Sequence, residues 1–469
     1  METLSRRREH MLWAPALGLC SAIAVLIPEW QTKALMLCPL LLAAIWWLIL
    51  RPSRWLVLFF VCLLLTPPLP GPAGDAGIHV APAIALIGVV AGLLRMSEWR
   101  ATLSPISLAF GCFLAILLVS SAIAGIYSGE SIALGSISRV GLFGIGVYVF
   151  LYASEGPDDS GIGARKFAAF LFFIGCAAAL FACLDFYFQF PAPARFEAQY
   201  VWLDTGVFRR AQGLFYDAST LGNFCAFFLV MVAVALFRRE DSPCFRLFLL
   251  GGGAVFAVAM ILSYSRGSIV NLLVALLVLL VMRGRGRLRF WKSLPIGVIA
   301  MICAVIAVRF ALPSFSASYW DRIGNSMTYF WYSPDGVLSG RVNNWYTLTS
   351  AILREPWHAV LGVGYKTLAY SNLFGEPIVT DNTYLSVLVE TGVAGFTSFV
   401  VLNGLILRYA WRAAKSANGS TGFFGEWIFC FWAGEMVQML SGDLITYWRV
   451  LPVYFCVLGI AVRRTDGRP

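Results

Sequence analysis

The sequence predicts an all-α, polytopic membrane protein with about 12–14 transmembrane helices. Of its 469 residues, 59% are hydrophobic and only 13% are charged, whereas soluble domains are about half apolar. Apolar runs of roughly 17–25 residues, the length that crosses a bilayer as a helix, recur along almost the whole chain. No separate soluble domain is evident between them.

Fourteen segments have the apolar character of helices buried in a membrane. In chain order they are 11–28, 34–50, 55–67, 78–94, 105–126, 138–153, 167–190, 217–237, 247–264, 268–282, 294–312, 382–407, 423–441 and 450–462. They divide the chain into N-terminal helices (1–190), a central group with arginine motifs (191–312), an exported loop (313–381) and C-terminal helices (382–469). The first segment resembles a signal peptide, but the many spans after it indicate an uncleaved start-transfer helix.

Basic residues fall mainly on one side of the predicted spans. Most of the 35 lysines and arginines lie in cytoplasmic loops if the N-terminus is cytoplasmic, including the dense run RGRGRLRFWK at 283–292. This pattern follows the positive-inside rule, so both termini are predicted to be cytoplasmic. The net charge of +10 therefore reports orientation, and no nucleic-acid partner is predicted.

The longest exported segment, 313–380, contains a second kind of helix. In NNWYTLTSAILREPWHAVLGVG, apolar side chains recur at helical spacing around Trp345 and Leu348. One interpretation is an amphipathic helix at the exported membrane surface, with Trp345 and Trp357 at headgroup level. The other is a helix that caps the bundle. Loops of this length in compact proteins are usually functional.

Several arginines lie where predicted helices meet the exported side, positions that the positive-inside rule depletes. Arg139 opens one helix, Arg209 and Arg210 precede another, and Arg266 lies in the turn between two more. A cation at this depth needs an anionic partner, and the planar guanidinium suits phosphate oxygens. A lipid-linked pyrophosphate is one such partner, because its polyprenyl tail would remain among the helices.

Structural pairing with acids is the alternative for these arginines, for example Arg209 with Asp217 or Arg266 with Asp185. A similar choice applies to Asp381, which precedes the segment that re-enters the membrane. As an N-cap it would accept backbone N–H groups, and as an exposed carboxylate it could take a proton from a sugar hydroxyl. Glu390 would lie about 13 Å deeper on the opposite face, so no paired-carboxylate site is predicted.

Four spaced motifs follow one another between about residues 205 and 410. They are RAQGLFYDASTLGNF, SYSRGSIVNLLVALLVLL, SGRVNNWYTLTSAILREPWHAVLGVGY and DNTYLSVLVETGVAG. This set resembles the O-antigen ligase/polymerase superfamily, the WaaL-like and Wzy-like membrane glycosyltransferases. The resemblance implies a GT-C-like bundle with a large periplasmic loop in a bacterial inner membrane.

The resemblance also implies roles for particular residues. Arg210 and Arg266 would bind the pyrophosphate of an undecaprenyl-linked glycan, with Arg341 in support. Asp381 stands where ligases of this group usually carry histidine, and an aspartate can still serve there as the catalytic base. Arg139 and Arg209 are further substrate-binding candidates from topology alone. The family reaction is metal-independent transfer to an acceptor hydroxyl, so no cofactor and no metal are predicted.

The pair Asp381–Asn382 departs from the His-Asn that ligases of this group usually carry. The departure favours a polymerase of O-antigen or exopolysaccharide repeat units over a ligase that uses lipid A-core. A flippase would also need arginines near the pyrophosphate, but it has less need for a long exported loop ending in a carboxylate. The implied partners are the lipid-linked oligosaccharide, an acceptor glycan or lipid A-core, membrane lipid, a chain-length regulator and a flippase.

Overall fold

The computed structural model confirms the helical membrane fold. It describes residues 52–67, 79–99, 104–157, 164–191, 199–203, 206–215, 217–238, 243–283, 340–416 and 419–463, with isolated positions between 309 and 332. The predicted helices 11–28 and 34–50, and nearly all of 294–312, lie outside the described residues. The other eleven predicted segments are helices.

Among the described residues, five α-helices precede the first arginine motif. They are α1 (Pro52–Leu65), α2 (Val80–Leu94), α3 (Pro105–Ser128), α4 (Glu130–Glu155) and α5 (Ala164–Phe188). Helix α4 starts eight residues before its predicted bound. In its first turns Ser136 is buried, and its hydroxyl donates to the carbonyl of Tyr365 (2.5 Å), whereas the other residues of 130–138 are half-buried or exposed.

A short antiparallel hairpin and three helices follow. They are β1 (Tyr200–Leu203), β2 (Gly206–Arg209), α6 (Ala218–Arg238), α7 (Pro243–Leu262) and α8 (Arg266–Arg283). Asp217 caps α6 by accepting the N–H of Thr220 (2.8 Å). The hairpin was not predicted, because its residues lie in a segment without a clear alternation of apolar and polar side chains.

The described C-terminal part contains two short helices of the predicted periplasmic loop and three further helices. They are α9 (Arg341–Arg354), α10 (Pro356–Leu361), α11 (Thr383–Ala414), α12 (Gly419–Gln438) and α13 (Leu451–Arg463). Helix α12 packs against α6, α8, α11 and α13, and α13 packs against α4. Among the described residues, 7 helices (α3 to α8 and α11) are long and apolar enough to cross a membrane.

Helix α11 bends at Gly392, where φ is 71°. The bend makes room for the chain after α10: a Cβ on Gly392 would lie 2.4 Å from the carbonyl oxygen of Val360. From Gly362 to Leu368 the chain then inserts against α3 and α11, with the N–H of Gly364 donating to the carbonyl of Glu390 (2.9 Å). This insertion places residues of the predicted periplasmic loop inside the bundle.

Gly392→Ala is therefore expected to lower the free energy of unfolding by at least about 1–3 kcal/mol, because an alanine is strained at this φ and meets backbone. Gly404→Ala on the same helix is the matched control. A Cβ at Gly404 meets nothing within 4 Å, so alanine there should be neutral or stabilising by up to about 1 kcal/mol. Thermal unfolding midpoints in detergent would compare them, and equal midpoints would contradict the account of the bend.

Candidate active site

The hairpin β1–β2 ends at two adjacent arginines. Arg209 pairs with Tyr200 across the hairpin. The backbone N–H of Arg210 donates to the carbonyl of Gln199 (2.8 Å). Its guanidinium donates to the side chain of Gln199 (2.8 Å) and to the carbonyl of Ser263 (2.8 Å). The hairpin therefore fixes Arg210 against the turn between α7 and α8.

The turn between α7 and α8 carries the second arginine motif. Gly222 of α6 supports it at close range, because a Cβ there would lie 2.8 Å from side-chain atoms of Ser263 and Ser265. Arg266 is the first residue of α8, three positions after the carbonyl that receives Arg210. The fold thus brings the two arginines proposed for the pyrophosphate to one turn.

Arg209 has a different environment from Arg210. Its guanidinium is buried, lies 2.5 Å from the carboxylate of Asp185 on α5, and donates to the carbonyl of Phe190 (2.6 Å). The structural pairing that the sequence left open is therefore present, with Asp185 in place of Asp217. The predicted pairing of Asp185 with Arg266 is therefore wrong, because Asp185 pairs with Arg209.

This ion pair gives a test of Arg209. Arg209→Gln and Asp185→Asn should each lower stability by about 3–5 kcal/mol, because each leaves a buried charge without its partner. The double variant should recover most of the loss and retain glycan transfer per folded molecule. Unfolding midpoints and transfer rates would be compared, and loss of transfer by a folded double variant would make Arg209 a substrate ligand.

The segment 438–442 joins the arginine turn to the start of α11. A Cβ on Gly267 would lie 3.2 Å from the hydroxyl of Ser441. On its other side, Thr383 donates its backbone N–H (3.1 Å) and its hydroxyl (2.7 Å) to the carbonyl of Gly442. The first turns of α8 and α11 therefore contact the same short segment.

Asp381 lies immediately before α11 with a positive φ of 43°. Its Oδ2 accepts a hydrogen bond from the Nε of Arg341 at 2.9 Å, and 38% of its side chain is exposed. The N-cap of α11 is Asn382, whose side chain accepts the N–H of Leu385 (3.1 Å). The N-cap interpretation of Asp381 is therefore wrong: an arginine holds its carboxylate, which stays accessible.

Helix α9 covers the chain that leads to Asp381. The indole N–H of Trp345 donates to the carbonyl of Thr380 (2.7 Å), and Asn344 donates to the carbonyl of Val379 (2.9 Å). Leu348 is buried in a small separate core. The predicted amphipathic helix is present, but Trp345 faces protein, while Trp357 is 72% exposed. The contacts of the inner face of α9 thus support the interpretation that this helix caps the bundle.

A cavity of about 320 Å³ lies among the start of α6, the inserted segment and the turn before α13. Among the described residues that line it are three cations, Arg139, Lys366 and Arg449, and one carboxylate, Asp217. The guanidinium of Arg139 lies 4.0 Å from the ring centre of Tyr370. The excess of positive charge suits an anionic ligand, and the aromatic wall suits the face of a sugar ring.

Lys366 and Asp443 form an ion pair beside the cavity that sequence reasoning missed. The ammonium lies 2.5 Å from Oδ2 of Asp443. Burial alone would lower the pKa of Lys366, but the charges of Asp443, Tyr365 and Glu390 outweigh it and raise the pKa, so the ammonium stays charged. The available signal was an acid in SGDLITYWR, the turn between the last two predicted spans, close in sequence to Arg449.

Tyr447 also lines the cavity and remains a hydrogen-bond donor at ordinary pH. Burial raises the pKa of its hydroxyl well above the usual value, and the charges of Asp217, Glu435, Asp381 and Asp443 raise it further. Tyr447 therefore contributes a neutral side chain to the cavity wall.

Two buried groups tie the surrounding helices together. Arg449 donates to the carbonyl of Leu63 (2.7 Å), in the last turn of α1, and to the carbonyl of Thr66 (2.9 Å), just after α1. Glu435 accepts from Asn271 (2.5 Å) and from Asn223, which connects α12 to α8 and α6. These contacts hold α6, α8 and α12 together, and α8 begins at Arg266.

Glu390 is separate from Asp381 in its contacts. It is buried in α11, and its carboxylate accepts the N–H of Leu368 (3.4 Å) and the hydroxyl of Ser386 (3.4 Å). It therefore holds the inserted segment. Among the described residues, no group of three or more His, Cys, Asp and Glu side chains is placed to hold a metal ion.

Comparison with known proteins finds a similarity over part of the chain. Residues 251–400 match the family model described as O-antigen ligase. The match includes Arg266, Arg341 and Asp381. Arg210 and Asp443 lie outside it. No curated protein matches the chain.

Proposed function

We propose that this chain, a member of the O-antigen ligase/polymerase superfamily, is a polysaccharide polymerase. It would transfer an undecaprenyl-pyrophosphate-linked glycan to a sugar hydroxyl at the periplasmic face of the inner membrane, in O-antigen or exopolysaccharide synthesis. One observation carries the proposal: the accessible carboxylate of Asp381, held by Arg341, precedes a helix whose first turn shares a contact segment with the arginine turn.

The proposed reaction is a displacement at the anomeric carbon. The acceptor hydroxyl oxygen attacks this carbon, and the bond to the pyrophosphate oxygen breaks. Undecaprenyl pyrophosphate leaves with the electron pair, while the hydroxyl proton passes to Asp381. Arg210 and Arg266 would stabilise the charge that develops on the leaving group. Arg139, in the cavity, would contact the same phosphates or the adjoining sugar.

A ligase that transfers the glycan to lipid A-core is the second candidate. The description of the matching family model, O-antigen ligase, favours it. Asp381 favours the polymerase, because the ligases that this chain resembles usually carry histidine there. Both candidates share the donor and the leaving group, and they differ in the acceptor.

An assay with purified protein in nanodiscs would separate the two candidates. The only glycan supplied would be undecaprenyl-pyrophosphate-linked repeat units, and lipid A-core would be added to a parallel reaction. We expect a ladder of lengthened products without lipid A-core. Product formed only when lipid A-core is present would establish a ligase instead, and no product in either reaction would contradict both.

Chelation should leave transfer unchanged, because arginines would supply the positive charge at the leaving group. The transfer rate would be measured before and after treatment with EDTA and removal of the chelator. Zinc, magnesium and manganese would then be added back separately. Strong inhibition that one divalent cation reverses would reveal a metal requirement that this mechanism does not contain.

A further inference from the structure

We propose that Glu435 is a positioning residue that holds the start of α8, where Arg266 lies, and that it does so as an uncharged acid. Glu435 lies on α12 and is fully buried. It lies outside the residues that match the family model, and the reaction proposed above does not use it. Its charge state follows from its surroundings alone, whereas its effect on glycan transfer rests on the function proposed above.

The carboxyl group of Glu435 is bound by neutral groups. Among the described residues, its hydrogen bonds come from the amides of Asn223 and Asn271, and no cation pairs with it. Titratable side chains that interact with it include three tyrosines: Tyr384 on α11, Tyr447 in the turn before α13, and Tyr454 on α13. A charged carboxylate inside a membrane-spanning bundle is costly without a cation. Glu435 therefore costs far less with a proton than without one.

The hydrogen bonds around Glu435 lack one donor. Its Oε2 accepts a hydrogen bond from Nδ2 of Asn271 (2.5 Å) and another from Nδ2 of Asn223. Oε1 of Gln438 accepts from the same two amide groups, at 3.0 Å each, so both protons of each amide are used. Oε1 of Glu435 and Oδ1 of Asn271 are buried and have no partner. A proton on Oε1 of Glu435 removes the charge and supplies the donor that this cluster lacks.

Glu426, nine positions earlier on α12, has the opposite surroundings. It too is buried, but its carboxylate pairs with Arg238 (3.2 Å) and Arg283 (2.5 Å). The same helix therefore carries one buried glutamate with guanidinium partners and one with amide partners. We expect Glu426 to be ionised and Glu435 to be protonated, so Glu426 is the matched control for Glu435.

The partners of Glu435 hold the first turns of α8. Asn271 lies five positions after Arg266 on this helix. Gln438, which shares both asparagine amides with Glu435, donates from Nε2 to the hydroxyl of Ser268 (3.4 Å). Removal of the Glu435 side chain would leave two buried amides short of an acceptor. It would thereby loosen the helix that begins with Arg266.

Infrared spectroscopy of the purified protein tests the charge state, because a protonated carboxylic acid and an ionised carboxylate absorb at different frequencies. At neutral pH, the difference spectrum between wild type and Glu435→Gln should show the loss of an acid band. The spectrum for Glu426→Gln should show the loss of carboxylate bands only. A carboxylate band lost in Glu435→Gln would overturn the proposal. A thermal midpoint that rises with sodium concentration in the wild type, but not in Glu435→Gln, would replace the proton by a bound sodium ion.

Glycan transfer tests the positioning role through a pair of variants. Glutamine keeps an acceptor for the two asparagines and a donor in place of the acid hydroxyl, so Glu435→Gln should transfer at close to the wild-type rate. Leucine offers neither, so Glu435→Leu should lower the rate per folded molecule by about tenfold or more, the scale of one unsatisfied buried donor. Thermal midpoints would confirm folding.

Two results would remove the positioning role: a folded Glu435→Leu chain that transfers at the wild-type rate, or a Glu435→Gln chain that is as impaired as Glu435→Leu. A wild-type chain without any transfer would instead refute the proposed function. The infrared spectra separate these failures, because they report the charge of Glu435 whether or not the protein transfers glycan.

Discussion

Arg266→Ala is expected to reduce glycan transfer by at least about 10²-fold, the scale of losing one preorganised donor to a developing negative charge. The chain should remain folded and inserted. Arg266 is the first residue of α8, where alanine is a good helix former. The turn before it retains its own support, because Ser265 and Ser268 lie 2.7 Å apart and Gly222 still packs beneath them.

The lysine variant separates charge from geometry at the same position. Arg266→Lys keeps the positive charge but loses the planar fork that binds two phosphate oxygens together. We therefore expect an intermediate rate. Arg354→Ala is the matched control, because Arg354 is an exposed cation at the end of α9 on the same side of the membrane-spanning bundle. It should transfer glycan at the wild-type rate.

Arg210→Ala should reduce the rate of glycan transfer as much as Arg266→Ala does, if the two arginines bind one pyrophosphate. The structure joins Arg210 to the carbonyl of Ser263 in the same turn, so the double variant should lose little more than either single one, since residues that act as a unit are not additive. Initial rates of the purified variants would be compared with their thermal midpoints. Near-normal transfer by both single variants would remove the pyrophosphate site from this turn.

The fold was predictable because the bilayer imposes a length and a composition on each span. Even α1 (Pro52–Leu65) and α13 (Leu451–Arg463), which are short, were recognised from their apolar runs. The early start of α4 was not, because Ser136, which is buried and donates to the carbonyl of Tyr365 in the inserted segment, interrupts the apolar run as a polar residue. A polar stretch at the end of a helix looks like a loop until its protein partner is known.

The site was predictable only where a single residue violated a general rule. Arg210 and Arg266 stood out because cations are depleted on the exported side. Lys366 and Asp443 did not stand out, because their pairing joins residues 77 positions apart and exists only in three dimensions. Asp381 was harder still: Asp381 and Asn382 are both good capping residues, and backbone conformation decides which of them caps α11.

Asp381→Asn should lower the rate of transfer by about 10²–10⁴-fold, the usual contribution of a general base. Asparagine is the informative replacement, because it tolerates the positive φ of 43° at this position better than most residues. Stability should change by less than about 1 kcal/mol, since the ion pair with Arg341 is partly exposed and such pairs contribute little. Asn382 remains in place as the cap.

Arg341→Gln distinguishes the base from the residue that orients it. The glutamine removes the partner of Asp381 but leaves its carboxylate, so transfer should fall less than in Asp381→Asn. Asp381→Glu, which moves the carboxylate outward by one methylene, should retain part of the rate. Rates at saturating donor and acceptor would be measured for all three, with thermal midpoints to confirm folding.

Asp443 is the acid that could replace Asp381 in this mechanism, and its surroundings argue against the exchange. Its Oδ2 lies 2.5 Å from the ammonium of Lys366, whose raised pKa keeps it charged, so proton uptake would break a partly buried ion pair. Asp443→Asn should therefore destabilise the inserted segment more than Asp381→Asn and impair transfer less per folded molecule. Full activity in Asp381→Asn, with inactivity in a folded Asp443→Asn, would reverse the assignment and make Asp443, the partner of Lys366, the base.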